Sequence, residues 1–287
     1  MRAPTVDEQI RALDEGKAYV EIAEIAITRV SGAGARSWLH DLVTTDVASL
    51  GRLETRPSLL LTPTGRIRAS FHVIGLGGDA FALVQPLDQP DPIGDLLAPY
   101  LLSTEAEIHR PPARIFALPG GGTSELAPAE PSAPSVLGGG IDLLAWEEPE
   151  ADEARRRLAE AGLSAVPAEV AEARRIRRAE PRFPVDLDAD SLPAEAGWDA
   201  APTTDRTKGC FLGQESVAKV ANLGHPPRLV VAVETDEDIR PGEVVRAAGR
   251  PVGSVTSADG RLGLARVRWD ARDDDLATAE GVVLRLR

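Results

Sequence analysis

The sequence predicts an α+β fold that ends in a small all-β module. Two observations carry this reading. Up to residue 227, short runs rich in β-branched residues alternate with stretches of helical period. From Arg228 onward the helical period stops, and short strands separated by Gly or Asp turns remain, as in a small barrel or sandwich. A chain of 287 residues is long enough for two or three domains and a sizeable core.

The elements follow in order. Thr5-Val6-Asp7-Glu8 is a capping box, which predicts a helix to about Glu15 with Gly16 past its end. Tyr19–Val30 reads as one or two strands. Ser31-Gly32-Ala33-Gly34 then leads into a helix whose Trp38, Leu39, Leu42 and Val43 share a face. Neither spacing of a phosphate-binding glycine loop is present there, so the glycines read as a strand-to-helix turn. Ser58–Leu61, Arg66–Ile74 and Ala80–Gln85 are strands of a meander, joined by Thr62-Pro63-Thr64-Gly65 and Gly75–Asp79. Asp91-Pro92 opens a helix to about Leu102, and Ile108 and Arg114–Leu118 are further strands.

Pro119–Gly140 is rich in Gly, Pro, Ser and Ala and reads as a surface loop or linker. Ile141–Trp146 is a strand, and Ala151–Ala161 and Glu169–Ala179 are helices. The last strands are Leu229–Glu234, Val244–Ala247, Pro251–Thr256, Arg261–Arg268 and Val282–Leu286. These breaks divide the chain into 1–118, a 119–140 loop, 141–227 and 228–287.

Composition excludes several classes. A net charge of −13 argues against general nucleic-acid binding. One cysteine excludes an intramolecular disulfide and a self-contained iron–sulfur cluster. His40, His72, His109 and His225 are scattered without metal-site spacing, so no resident metal is expected. No apolar run approaches the roughly 20 residues of a membrane helix. The N-terminus carries no secretory pattern, so a cytoplasmic location is expected.

The stretch richest in chemistry is Thr207-Lys208-Gly209-Cys210-Phe211-Leu212-Gly213-Gln214-Glu215, which holds the single cysteine. Gln214–Asn222 reads as a helix stopped by Gly224, so Cys210 lies on a loop ahead of a helix N-terminus. The helix dipole and Lys208 both favour a thiolate, and Gly209 and Gly213 permit positive φ and close approach. A lone cysteine is commonly a small buried hydrophobe, but lysine, glutamine and glutamate make a poor core environment. A second feature is the set Arg174, Arg175, Arg177, Arg178 and Arg182, a positive island in an acidic chain. A solvated helix face and a seat for an anionic ligand tail both fit it.

The nine-residue block, followed by a helix and Gly224-His225-Pro226-Pro227-Arg228-Leu229, resembles the signature of the YgfZ folate-binding proteins. Those proteins share a fold with the aminomethyltransferase T-protein of glycine cleavage. Thr44-Thr45-Asp46-Val47 after the Trp38 helix is a second matching block, and Pro251–Ser257 matches the family's C-terminal barrel. The resemblance implies a multi-lobed α+β GcvT-like fold with a C-terminal small β-barrel. It implies binding of tetrahydrofolate or a one-carbon derivative, in support of iron–sulfur cluster assembly or repair. The implied partners are reduced folate and iron–sulfur assembly proteins or client enzymes.

On that reading Cys210 and Lys208 are the reacting residues. Asp46, Arg174, Arg175, Arg178, Gly209, Gly213, Gln214 and Glu215 serve the folate. Taken alone, Asp46 reads as a turn or cap residue. The T-protein branch carries Arg-x-Glu-Ala-Gly where this chain has Arg175-Ile176-Arg177-Arg178-Ala179. An arginine cannot accept hydrogen bonds from a pterin edge, which disfavours the alternative, a folate-dependent aminomethyl transferase. A third reading, a thiol enzyme, lacks a base near Cys210, since His225 is fifteen residues downstream.

Overall fold

The computed structural model describes residues 2–22, 25–121 and 132–287. Positions 122–131 of the expected 119–140 loop, and positions 23–24 of the expected Tyr19–Val30 strand run, lie outside the described residues.

Helix α1 (Val6–Asp14) starts at the expected capping box: Thr5 accepts from the Glu8 amide, and Glu8 reaches back to the Thr5 amide. The Tyr19–Val30 run makes two strands, β1 (Ala18–Ile22) and β2 (Ile25–Ser31), which enter different sheets. Helix α2 (Ala35–Leu42) then leads to β3 (Thr55–Leu61), β4 (Ile67–Gly77) and β5 (Ala80–Pro86). Helix α3 is shorter than expected, Ile93–Leu97 with a 3-10 turn at Ala98–Tyr100. Asp91 does not cap it. The Gln85 side chain takes the Ile93 amide instead, at 2.7 Å.

Strands β6 (Glu107–His109), β7 (Arg114–Leu118), β8 (Ser132–Pro134) and β9 (Ile141–Ala145) precede α4 (Glu148–Glu160). Strand β10 (Ser164–Val166) and helix α5 (Ala168–Arg177) follow, then an extended segment to α6 (Gln214–Leu223). The barrel strands are β11 (Arg228–Glu234), β12 (Val244–Ala247), β13 (Arg250–Asp259), β14 (Leu262–Arg268), β15 (Leu276–Thr278) and β16 (Val283–Leu286). Strands β8, β10 and β15 were not legible in the sequence. Three residues are too few to show a period of two.

The strands form two open sheets and a barrel. The central sheet runs β3-β4-β5-β2-β6, the second sheet β10-β1-β7-β9-β8, and the barrel closes in the order β11-β14-β13-β12-β15-β16. Because β1 pairs with both β7 and β10, the sequence division at residue 118 cuts across the second sheet.

Alternation along the central strands decides what covers each face. Phe71, Val73, Phe81 and Leu83 face α2 and α3, where they pack with Trp38, Leu39, Ile93 and Leu97. Ile27, Ile74, Ala82 and Val84 face the second sheet and meet Ile115, Ala117 and Leu144. Leu59, Leu61 and Ile67 are covered by Phe183, Leu187, Phe211 and Val217 from the extended segment and α6. The inter-sheet layer also holds Asp142, which is fully buried beside Leu144 and accepts from the Val136 amide at 2.8 Å. Burial pushes its carboxyl up to about 7, against the pull of its Ser135 and Val136 hydrogen bonds.

Two buried carboxylates fasten the extended segment to the barrel. Asp186 accepts from Arg175 (2.7 Å), Thr256 (2.6 Å) and Ser257 (2.7 Å). Glu195 accepts from Arg266 Nε at 2.8 Å. Each charge is desolvated but multiply bonded, which is the condition for tolerating it inside. Among the described residues, no helix is long and apolar enough to cross a membrane.

Candidate functional site

The motif loop is built onto the end of α2. After that helix the chain turns extended, and Val43 forms a bridge with Leu60 at the open edge of β3. Thr44 continues the contact: its amide donates to the Leu59 carbonyl (3.1 Å), and its hydroxyl accepts from the Leu59 amide (2.9 Å). The 203–205 segment lies on the outside of this addition, where the Asp205 amide donates to the Thr44 carbonyl at 3.0 Å. Asp205 in turn accepts from the amide (2.8 Å) and hydroxyl (2.6 Å) of Thr207, which sets the entry to Lys208.

Lys208 is buried, and its ammonium donates to the carbonyls of His40, Val43 (2.6 Å) and Thr45 (3.1 Å). The His40 carbonyl belongs to the last turn of α2, the Val43 carbonyl to its C-cap, and this is the end where the helix dipole favours a cation. Burial pushes the ammonium down to about 8, with Asp46, Asp41 and Asp205 opposing. Its donors are committed to backbone, so it welds the motif to α2 rather than working as a free partner of the thiol.

Asp46 sits at the same corner. Its carboxylate accepts from the amides of Ala48 (2.9 Å) and Ser49 (3.3 Å) and from the Ser49 hydroxyl. His40 Nδ1 stands 3.2 Å away and Arg56 3.6 Å away. Burial raises the Asp46 carboxyl, but the hydrogen bonds of Ser49 and Ala48 outweigh it and hold it below the ordinary range. His40 is held low by burial and by the Lys208 charge, so its imidazole is neutral and can accept from the Ala48 amide. The turn-and-cap reading of Asp46 therefore describes its contacts.

Gly209 and Cys210 are exposed. Of the two glycines flanking the cysteine, only Gly213 adopts positive φ, at 83°; the backbone expectation for Gly209 is corrected. Gly213 and Gly65 hold the loop against the β3–β4 turn. A Cβ at Gly213 would lie 2.5 Å from the Thr62 carbonyl oxygen, and one at Gly65 would lie 2.6 Å from Ser216 Cβ. Gln214 fixes the other side by accepting from the Phe211 amide at 3.2 Å, and Phe211 is buried beneath the loop. Glu215 is exposed on the first turn of α6.

The arginines lie elsewhere and are largely spent. Arg174 is 4% exposed, pairs with Asp14 at 2.7 Å and donates to the Leu137 carbonyl. Arg175 joins Glu172, Asp186 and Ser257. Arg177 bridges Asp259 (2.5 Å) and Asp7 (2.6 Å), and Arg178 pairs with Glu180 while staying half exposed. The expected positive island is thus largely a brace between α5, α1 and the barrel: Arg174, Arg175 and Arg177 meet acids from elsewhere in the chain, and Arg178 pairs with its neighbour Glu180. Sequence reasoning gave no role to His40 or Asp205, whose signal lies only in tertiary proximity, and gave Thr44 only as part of the matching block. Among the described residues, no group of three or more His, Cys, Asp or Glu is placed to hold a metal ion.

The geometry can be set beside known proteins. The fold is that of the glycine-cleavage aminomethyltransferases: the chain superposes on aminomethyltransferase T from Bartonella henselae with a TM-score of 0.81. That match covers 98% of this chain and 88% of the other at 17% identity. Residues 228–287, the closed barrel, match the family model of the CAF17 C-terminal beta-barrel domain. No curated protein matches the chain. The two matches support the YgfZ/GcvT type to which the motif block points.

Proposed function

We propose that the chain is a tetrahydrofolate-binding accessory protein that supports iron–sulfur cluster assembly or repair through Cys210. The observation that carries the reading is the motif loop, held rigidly at the edge of the central sheet with its single thiol exposed. A buried structural cysteine needs no such frame. The frame itself is made by Lys208, Gly213 and Gln214, while Gly209, Cys210 and Glu215 remain open to a ligand or partner. Asp46 closes the corner beside them. Arg174 and Arg175 brace the barrel in this reading, and Arg178 retains exposed surface for an anionic tail. When bound, the folate supplies a carrier for one-carbon units. The chain's residues orient it and present the thiol.

An aminomethyl transferase is the reading favoured by the fold alone. It is weakened at Arg177, whose two carboxylate partners show a donor at a position where the transferases need an acceptor. The separating experiment is iodoacetamide labelling of the native protein, with and without tetrahydrofolate, beside an assay of ammonia release from an aminomethyl-lipoyl carrier. Expected are full labelling at Cys210, protection by the folate, and no ammonia. Robust folate-dependent ammonia release supports the transferase instead, and labelling only after denaturation removes Cys210 from the site.

A further inference from the structure

The two open sheets leave a cavity of about 330 Å³ between them, at the end where β2 and β7 begin and β9 finishes. Its opening follows from the sequence of the β6–β7 connection. Strand β6 pairs with β2 only from Arg29 with His109 to Ser31 with Glu107. Beyond His109 the chain runs Arg110-Pro111-Pro112-Ala113, and two prolines have no amide to donate. The ladder therefore stops, and the first residues of β2 border the cavity instead of a neighbouring strand. The deep wall is apolar. Ile27 and Ala145 are buried, Ile25 and Ala113 are half-buried, and Leu87 and Pro112 stand exposed at the lip.

Four charged side chains line the same cavity, and their partners can be assigned one by one. Arg110 pairs with Asp95. Glu148 accepts from Arg155 at 3.1 Å, and Arg155 also holds both oxygens of Glu21, at 2.6 and 3.0 Å. Those two acids are thereby committed, and Arg114 reaches neither: Glu148 stays 3.8 Å away and Glu21 3.9 Å, beyond hydrogen-bond length. Glu147 is exposed at the N-cap of α4, where its carboxylate caps no amide, and among the described residues it meets no cation. An apolar wall thus ends in one uncommitted guanidinium and one uncommitted carboxylate.

We infer that this cavity binds a small zwitterion with an apolar body, the chemistry of a free apolar α-amino acid such as leucine. The Arg114 guanidinium takes the carboxylate in its planar fork, the Glu147 carboxylate takes the ammonium, and the hydrocarbon displaces water from the Ile25 and Ile27 wall. A simple carboxylic acid meets the Glu147 charge at the same mouth, and a simple amine meets Arg114. Only a ligand carrying both charges answers both residues, so the pair selects against the two singly charged analogues. The volume lies at the small end of the range for ligand sites, about 300–1,000 Å³. The inference is independent of the folate reading, because none of the residues assigned to folate lines this cavity.

The test is a ligand-observed NMR titration of the full chain with leucine and three analogues. Isocaproate lacks only the ammonium, isoamylamine lacks only the carboxylate, and serine lacks the apolar body. The natural protein is compared with Arg114→Gln and Glu147→Gln, each checked for folding by thermal melting. Leucine is expected to bind saturably, and each analogue about three- to tenfold more weakly, the size of one charged pair at a partly exposed mouth. Arg114→Gln is expected to weaken leucine by that factor without weakening isoamylamine. Glu147→Gln is expected to bring leucine and isocaproate to the same affinity. Should Arg114→Gln not fold, Arg114→Lys, which keeps the charge but not the fork, and Glu147→Gln carry the comparison. Any analogue binding the natural protein as tightly as leucine overturns the inference, as does an unchanged leucine affinity in the folded variants or no binding of leucine at all. The folate reading stands or falls separately, since its residues lie elsewhere.

Discussion

Lys208 shows how a motif residue can be indispensable without touching a substrate. Its ammonium donates to three carbonyls at and just beyond the end of α2. Lys208→Met keeps the apolar stem and removes the donors. It should cost about 1–3 kcal/mol, the range for buried polar groups left unpaired, read as a lower urea midpoint. An unchanged midpoint would show that the carbonyls find other partners.

Asp142 makes a second prediction at this scale, with a sign set by linkage. Its carboxyl is raised to about 7 in the fold, so between its ordinary value and 7 the unfolded chain has released a proton that the folded chain retains. Raising the pH through that window therefore favours unfolding. Asp142→Asn keeps the shape and an acceptor for Val136 but cannot ionise. It should be the more stable form at pH 8, by roughly 1–3 kcal/mol, with the advantage fading as pH falls toward 4. Parallel stability curves for the two proteins across pH 4–8 would contradict this.

At the scale of elements, the pairing of the motif loop with the β3–β4 turn is the decisive contact. Gly213 stands at positive φ and, like Gly65, has no room for a Cβ, whereas Gly209 meets nothing within 4 Å. Gly213→Ala and Gly65→Ala should each destabilise by about 1–3 kcal/mol through strain and displaced backbone. Gly209→Ala should stay within about 0.5 kcal/mol. Differential scanning calorimetry of the three variants gives the comparison, and equal shifts at all three positions would show that the loop does not depend on this contact.

How much of this was legible in the sequence divides along the same line. The capping box at Thr5, the α6 stop at Gly224 and the strand at Arg66–Ile74 are local signals, and the structure reproduces them. The motif was found because its composition is odd for a core. Its geometry was not, because the partners of Lys208 lie more than 160 residues away in the chain. The arginine run stayed open to two readings for the same reason: sequence shows the cations but not the distant acids, Asp14, Asp186, Asp7 and Asp259, that fold onto them.

For the molecule as a whole, the extended segment between α5 and α6 is the hinge of the design. Asp186 and Glu195 tie it to the barrel, and Phe183 and Leu187 tie it to the central sheet. The barrel, the sheet and the motif loop are thereby held as neighbours. A fold shared with aminomethyltransferase T, a barrel matching the CAF17 C-terminal model and an exposed thiol on the motif loop are the features on which the proposed folate role rests. The most direct test is a calorimetric titration of the natural protein with tetrahydrofolate under reducing conditions. Saturable one-to-one binding, retained in Cys210→Ala and weakened in Asp46→Ala, is the predicted result. No heat of binding at ligand concentrations up to the millimolar range would contradict the account.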